Sequence, residues 1–181
     1  FFLPQLYAGL IYYQRGDIDS ATISFLTADS IQQEYQAPLR ESQRLYNTLG
    51  VLSYDAGNYR QSYNYFRKAL DMTNRDDPSF PDLESNYLIN MAQAELKLGE
   101  YDNALATYRQ LLPMRKNLNE IYHNMGIALT SKGLFQEALS SLSKVEFDAY
   151  KKPTLLNSFA RIYLQMGRYE LCRQYLSDAL L

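Results

Sequence analysis

The side chains best suited to nucleophilic or general-base chemistry occur once each, as His123 and Cys172, in a chain of 181 residues without tryptophan. Thiolate acyl transfer needs an imidazole beside the sulfur, and a metal centre needs three or four convergent ligands. His123 and Cys172 sit in different repeated segments, on a first and a second helix respectively, so they do not make a catalytic pair. Cys172 reads as a packed small residue and His123 as a surface or groove residue. Each glycine is isolated, so no phosphate-cradling loop is formed. No catalytic, metal or cofactor-binding residue is expected, and the chain reads as a non-enzyme. What remains is a supply of amides and of 17 tyrosines. A primary amide donates and accepts hydrogen bonds at once, and a phenol joins apolar area to a polar tip. Those groups suit holding another chain rather than transforming a substrate.

The elements that must position them are marked by five glycines, Gly16, Gly57, Gly99, Gly133 and Gly167. Each is followed two residues later by an apolar residue, Ile18, Tyr59, Tyr101, Phe135 or Tyr169. Successive intervals of 41, 42, 34 and 34 residues identify a repeat array. In the second unit Leu45, Tyr46, Leu49, Val51, Leu52 and Tyr54 follow helical steps. Asp55-Ala56-Gly57-Asn58 interrupts them, and periodicity resumes through Tyr59, Tyr63, Phe66, Ala69 and Leu70. The unit is therefore helix, tight turn, helix. Small residues recur where two helices must touch, as Gly9, Gly50, Ala92, Gly126 and Ala160, and again as Ala21, Ser62, Ala104, Ala138 and Cys172. A large residue follows in register, Phe25, Phe66, Tyr108, Leu142 or Leu176, to fill the space they leave. Tyr12, Tyr59, Tyr101 and Tyr169 are assigned to helix packing.

This pattern resembles the tetratricopeptide repeat (TPR) family, most clearly in Tyr46, Leu49, Gly50, Gly57, Tyr59, Phe66, Ala69 and Leu70. The resemblance implies an all-α fold, a right-handed α-α superhelix or solenoid of five TPR-like helical hairpins. The units span about 2–41, 43–83, 85–117, 119–152 and 153–181 in a single array. The first two are longer. A lengthened second helix plus a loop containing Pro38 is expected across 31–41, and a proline-set loop with Pro78 and Pro81 across 75–82. Pro153 is placed at the start of a helix, and Pro113 at the early end of one.

Composition narrows the partner class. With 18 basic and 20 acidic residues the formal charge is −2, which offers no field for tracking nucleic acid phosphates. No apolar run approaches the roughly 20 residues of a membrane-spanning helix. The single cysteine and the lack of an Asn-x-Ser/Thr sequon lean towards a cytoplasmic location. The start without methionine, together with the absence of a leader, reads as a piece of something longer.

The TPR resemblance also implies that the first helix of each unit lines a concave groove. Its fifth, sixth and ninth positions are Leu6, Tyr7, Leu10; Asn47, Thr48, Val51; Ile89, Asn90, Gln93; His123, Asn124, Ile127; and Asn157, Ser158, Arg161. The expected peptide-binding groove comprises Tyr13, Asn47, Tyr54, Asn90, Gln93, His123, Asn124, Asn157 and Arg161, with the amides contacting a partner's main chain. The Lys, Arg and Asn clamp used by one TPR subfamily for acidic chaperone tails is not matched, because its places carry Val51, Glu120 and other uncharged or acidic residues. The spacing is more similar to arrays of the kinesin light chain type and to bacterial arrays fused to signalling or protease domains. The expected function is a protein-interaction scaffold holding a peptide or neighbouring domain. The alternatives are the regulatory arm of a larger enzyme, such as a CHAT-type protease or sensor kinase, or a homo-oligomer assembled end to end through the last helix, Tyr169 to Leu181.

Overall fold

The computed structural model describes residues 1–35, 39–114, 116–146 and 152–180. Among them are ten α-helices and no strand. They are α1 Phe2–Gln14, α2 Ile18–Tyr35, α3 Leu39–Asp55, α4 Tyr59–Asp71, α5 Phe80–Lys97, α6 Tyr101–Leu111, α7 Leu118–Ser131, α8 Phe135–Leu142, α9 Lys152–Gln165 and α10 Tyr169–Ala179. All five turn glycines adopt positive φ, between 71° and 78°. At Gly57 the amide donates to the Tyr54 carbonyl at 3.0 Å and that of Asn58 to the Ser53 carbonyl at 2.8 Å, the paired bonds that close a helix on a left-handed residue.

The chain divides into two compact units, Phe1–Leu98 and Gly99–Leu181. In the first, Phe2, Leu6, Phe25, Leu45, Tyr46, Leu49, Phe66 and Tyr87 belong to one buried cluster. The small and large positions interlock as their register requires. A Cβ on Gly50 would fall 2.7 Å from the Phe66 ring, so only glycine lets α3 approach α4 this closely. The Ser62 hydroxyl, on the same contact, donates to the Gly50 carbonyl at 2.8 Å. In the second unit Gly126 meets Leu142 in the equivalent way.

A polar cluster ties α2, α3 and α4 of the first unit together. The Tyr46 hydroxyl bonds the buried Asp29 carboxylate, and burial followed by that carboxylate raises the phenol above its ordinary range. Lys68 Nζ lies 4.0 Å from Asp29 Oδ1 and 4.8 Å from the Tyr46 ring centroid, and Tyr65 stacks on Tyr46 at 6.1 Å. The positive charge is thus held against both a carboxylate and a π face.

Several boundaries and placements differ from those expected. α3 and α5 begin at Leu39 and Phe80, ahead of the expected unit starts at 43 and 85. Pro81 lies in the first turn of α5 rather than in a loop, because that position needs no amide donor. The loop before it is shaped by Asp77, which accepts from the Ser79 amide at 2.8 Å and has its carboxyl lowered by the Ser79 bonds. α2 is lengthened as anticipated, Pro153 sits in the first turn of α9, and α6 gives way to a 3-10 turn, Leu112–Met114, at Pro113. Pro38 lies outside the described residues. Tyr12 and Tyr169, expected to pack, are exposed, Tyr169 at 68%. Leu176 is 45% exposed, whereas Phe25, Phe66, Tyr108 and Leu142 at the same register are at most 2% exposed. α9 is the helix that packs against α10. The face of α10 that carries Leu176 keeps its access to solvent.

Candidate functional site

In the unit Phe1–Leu98, helical phase brings residues three apart on one helix to the same side. Val51 and Tyr54 on α3, and Asn90 and Gln93 on α5, are such pairs. Together with Asp55 and the buried Phe66 they line one cleft of about 180 Å³. Three of the expected groove residues, Tyr54, Asn90 and Gln93, therefore converge, while Tyr13 and Asn47 are not among the lining residues. Tyr13 is exposed near the end of α1, and Asn47 is half-buried on α3. The Tyr54 ring meets Tyr59 edge-on at 5.2 Å. Burial first, then Tyr59 and the Asp55 carboxylate, raise its phenol, so Tyr54 stays protonated and able to donate.

Asp55 was absent from the sequence-based set because it reads as the opening of the turn. Register could have found it. The first helices α1, α3, α5, α7 and α9 end on Gln14, Asp55, Lys97, Ser131 and Gln165, equivalent positions of which only one is acidic. A carboxylate there faces the negative end of the helix dipole, which disfavours it.

In the unit Gly99–Leu181 the expected residues separate. His123, expected at the surface or in the groove, is 4% exposed, and its Nε2 lies 2.8 Å from Ser158 Oγ. The Ser158 hydroxyl also sits 3.0 Å from the Thr154 carbonyl, to which it donates. A neutral ring protonated on Nε2 satisfies this chain of bonds. Burial, and secondarily the Arg161 guanidinium, lower the His123 pKa below its ordinary 6.5. The reason for its burial is positional: the fifth repeat position also buries Leu6 and Ile89. Asn47 and Asn157 occupy that fifth position, half-buried and exposed respectively, whereas Asn90 and Asn124, both half-buried, occupy the sixth. The asparagines thus fall into two registers. Arg161 and Asn157 are exposed on α9.

Among the described residues no group of three His, Cys, Asp or Glu side chains could hold a metal ion. Cys172 is buried, as a packed small residue should be. No helix of the described residues is long and apolar enough to cross a membrane.

A family model described as tetratricopeptide repeat matches residues 41–117, and a second with the same description matches 153–181. The chain belongs to the tetratricopeptide repeat family. The BBSome complex member BBS4 of Bos taurus is similar in sequence, 23% identical over 180 residues. The match takes in 98% of this chain and 31% of BBS4, so the chain spans under a third of that relative's length. The apo form of RapI is similar in fold, with a TM-score of 0.78 at 16% identity, over 98% of this TPR chain and 68% of RapI. The Rap conjugation gene regulator of plasmid pLS20, in complex with the Phr* peptide, gives 0.71 at 20% identity, over 99% of this chain and 52% of the regulator.

Proposed function

We propose that this TPR chain is an interaction scaffold that holds a peptide or a neighbouring domain through the first helices of its hairpins. The observation that carries the reading is the cleft where Tyr54, Asn90 and Gln93 meet Val51 and Phe66. Apolar side chains beside primary amides suit a main chain in extended form, since a primary amide can both accept from a peptide N–H and donate to a carbonyl. The fold similarity to a regulator solved with a peptide supports the class of ligand. Asn124, equivalent to Asn90, extends the same role to the second unit.

Replacing Asn90 and Asn124 by Ala should weaken capture of a genuine partner several-fold while leaving the melting temperature within a degree or two, because half-buried surface amides contribute little to stability. Affinity purification with the intact chain, repeated with the double variant, measures both. Unchanged affinity would remove the amides from the site.

A second reading, end-to-end assembly, is favoured by Leu176. In every other hairpin the equivalent residue is buried, so α10 presents an apolar position that either further chain or another copy could cover.

A further inference from the structure

We propose that the cleft formed by Val51, Tyr54, Asp55, Phe66, Asn90 and Gln93 is a side-chain pocket selective for a lysine or arginine of the bound peptide, with Asp55 as its charge partner. This inference rests on the scaffold reading and specifies its ligand.

Size comes first. A cleft of about 180 Å³ is smaller than the roughly 300–1,000 Å³ of small-molecule sites and matches one long side chain. The lining is of two kinds. Val51 and the Tyr54 ring offer apolar surface, and Asp55 supplies the one formal charge among the lining residues. A Lys or Arg side chain has the same division, an aliphatic stem that packs on apolar groups and a cationic head that seeks a carboxylate. An acidic side chain would meet Asp55 as a like charge, and a leucine or methionine would leave it uncompensated.

The position of Asp55 is the second, independent observation. It terminates α3, where a carboxylate opposes the helix dipole, and the equivalent residues Gln14, Lys97, Ser131 and Gln165 are all neutral or basic. A residue that breaks a local rule once in five repeats, on the rim of a cleft, marks a site held for binding rather than for the helix. Exchange by substitution is also structurally cheap. Asp55 is exposed, and a lysine at a helix C-terminus is favoured.

The test uses the 181-residue chain and a positional-scanning library of acetylated, amidated nonapeptides, read by fluorescence anisotropy. One peptide position should favour Lys and Arg over norleucine about five- to tenfold, with Glu weakest, and the preference should shrink as salt rises. Asp55→Lys should keep the helical circular dichroism and melting temperature while reversing the preference at that position towards Asp and Glu. Peptides that bind without a cationic preference, or a preference that survives Asp55→Lys, would overturn the pocket and leave the scaffold reading standing. Failure of the whole library to bind the unaltered chain would overturn both.

Discussion

Gly50 shows how one hydrogen atom in place of a methyl group sets the distance between two helices. Its missing Cβ leaves room for Phe66, and the hydroxyl of Ser62 then reaches the Gly50 carbonyl. Gly50→Ala should destabilise the chain by about 1–3 kcal/mol, since the ring cannot yield without opening the contact; chemical denaturation of the two proteins at equal concentration measures the loss. His123 makes a second prediction at this scale. Its folded pKa lies below 6.5 while the unfolded ring titrates near 6.5, so the unfolded state binds the proton first. Its contribution is fully present above that value and is lost as pH falls through the lowered folded pKa. Unfolding free energy measured at pH 7.5 and at pH 5.5 should therefore fall less in His123→Asn than in the parent chain. Equal slopes would place the titration elsewhere.

Between elements, the polar cluster on α2, α3 and α4 combines three kinds of attraction in one place. Tyr46 binds Asp29, Lys68 lies against both, and Tyr65 stacks beside them. Tyr46→Phe keeps the ring and the cation–π contact but deprives a buried carboxylate of its donor, so a cost of about 1–3 kcal/mol is expected. Amide hydrogen exchange should rise in α2 and α3 together with the loss, since the bond links those two helices. The hairpins themselves were legible in sequence because their signals are local: a glycine at positive φ, a period near four, a small residue opposite a large one. The cluster was not legible. Its members come from three helices, and nothing in Asp29 taken alone distinguishes a buried carboxylate from a solvated one.

For the whole molecule, Leu176 makes self-association measurable. Its equivalents are buried at every other hairpin, and it is exposed. On the assembly reading, the weight-average mass from sedimentation should climb with concentration, and Leu176→Glu should hold the chain monomeric without altering its helix content. A parent chain that stays monomeric through the concentration series would end that reading. The candidate groove was legible in part. The repeat register picked Tyr54, Asn90 and Gln93, which do converge, because equivalent helical positions present their side chains in equivalent directions. It also picked His123, which is buried, because the fifth position serves packing in some hairpins and solvent in others.

By itself the sequence determined the helices, their turns and the family, since capping, periodicity and small-to-large pairing act over a few residues and repeat five times. Burial was decided only in the tertiary structure. Whether an Asn, a His or an Asp faces water depends on which helix crosses it, and that neighbour lies tens of residues away along the chain. Asp55 is the plainest instance: a turn residue in sequence, it becomes the charged wall of a cleft when α5 brings Asn90 and Gln93 beside it.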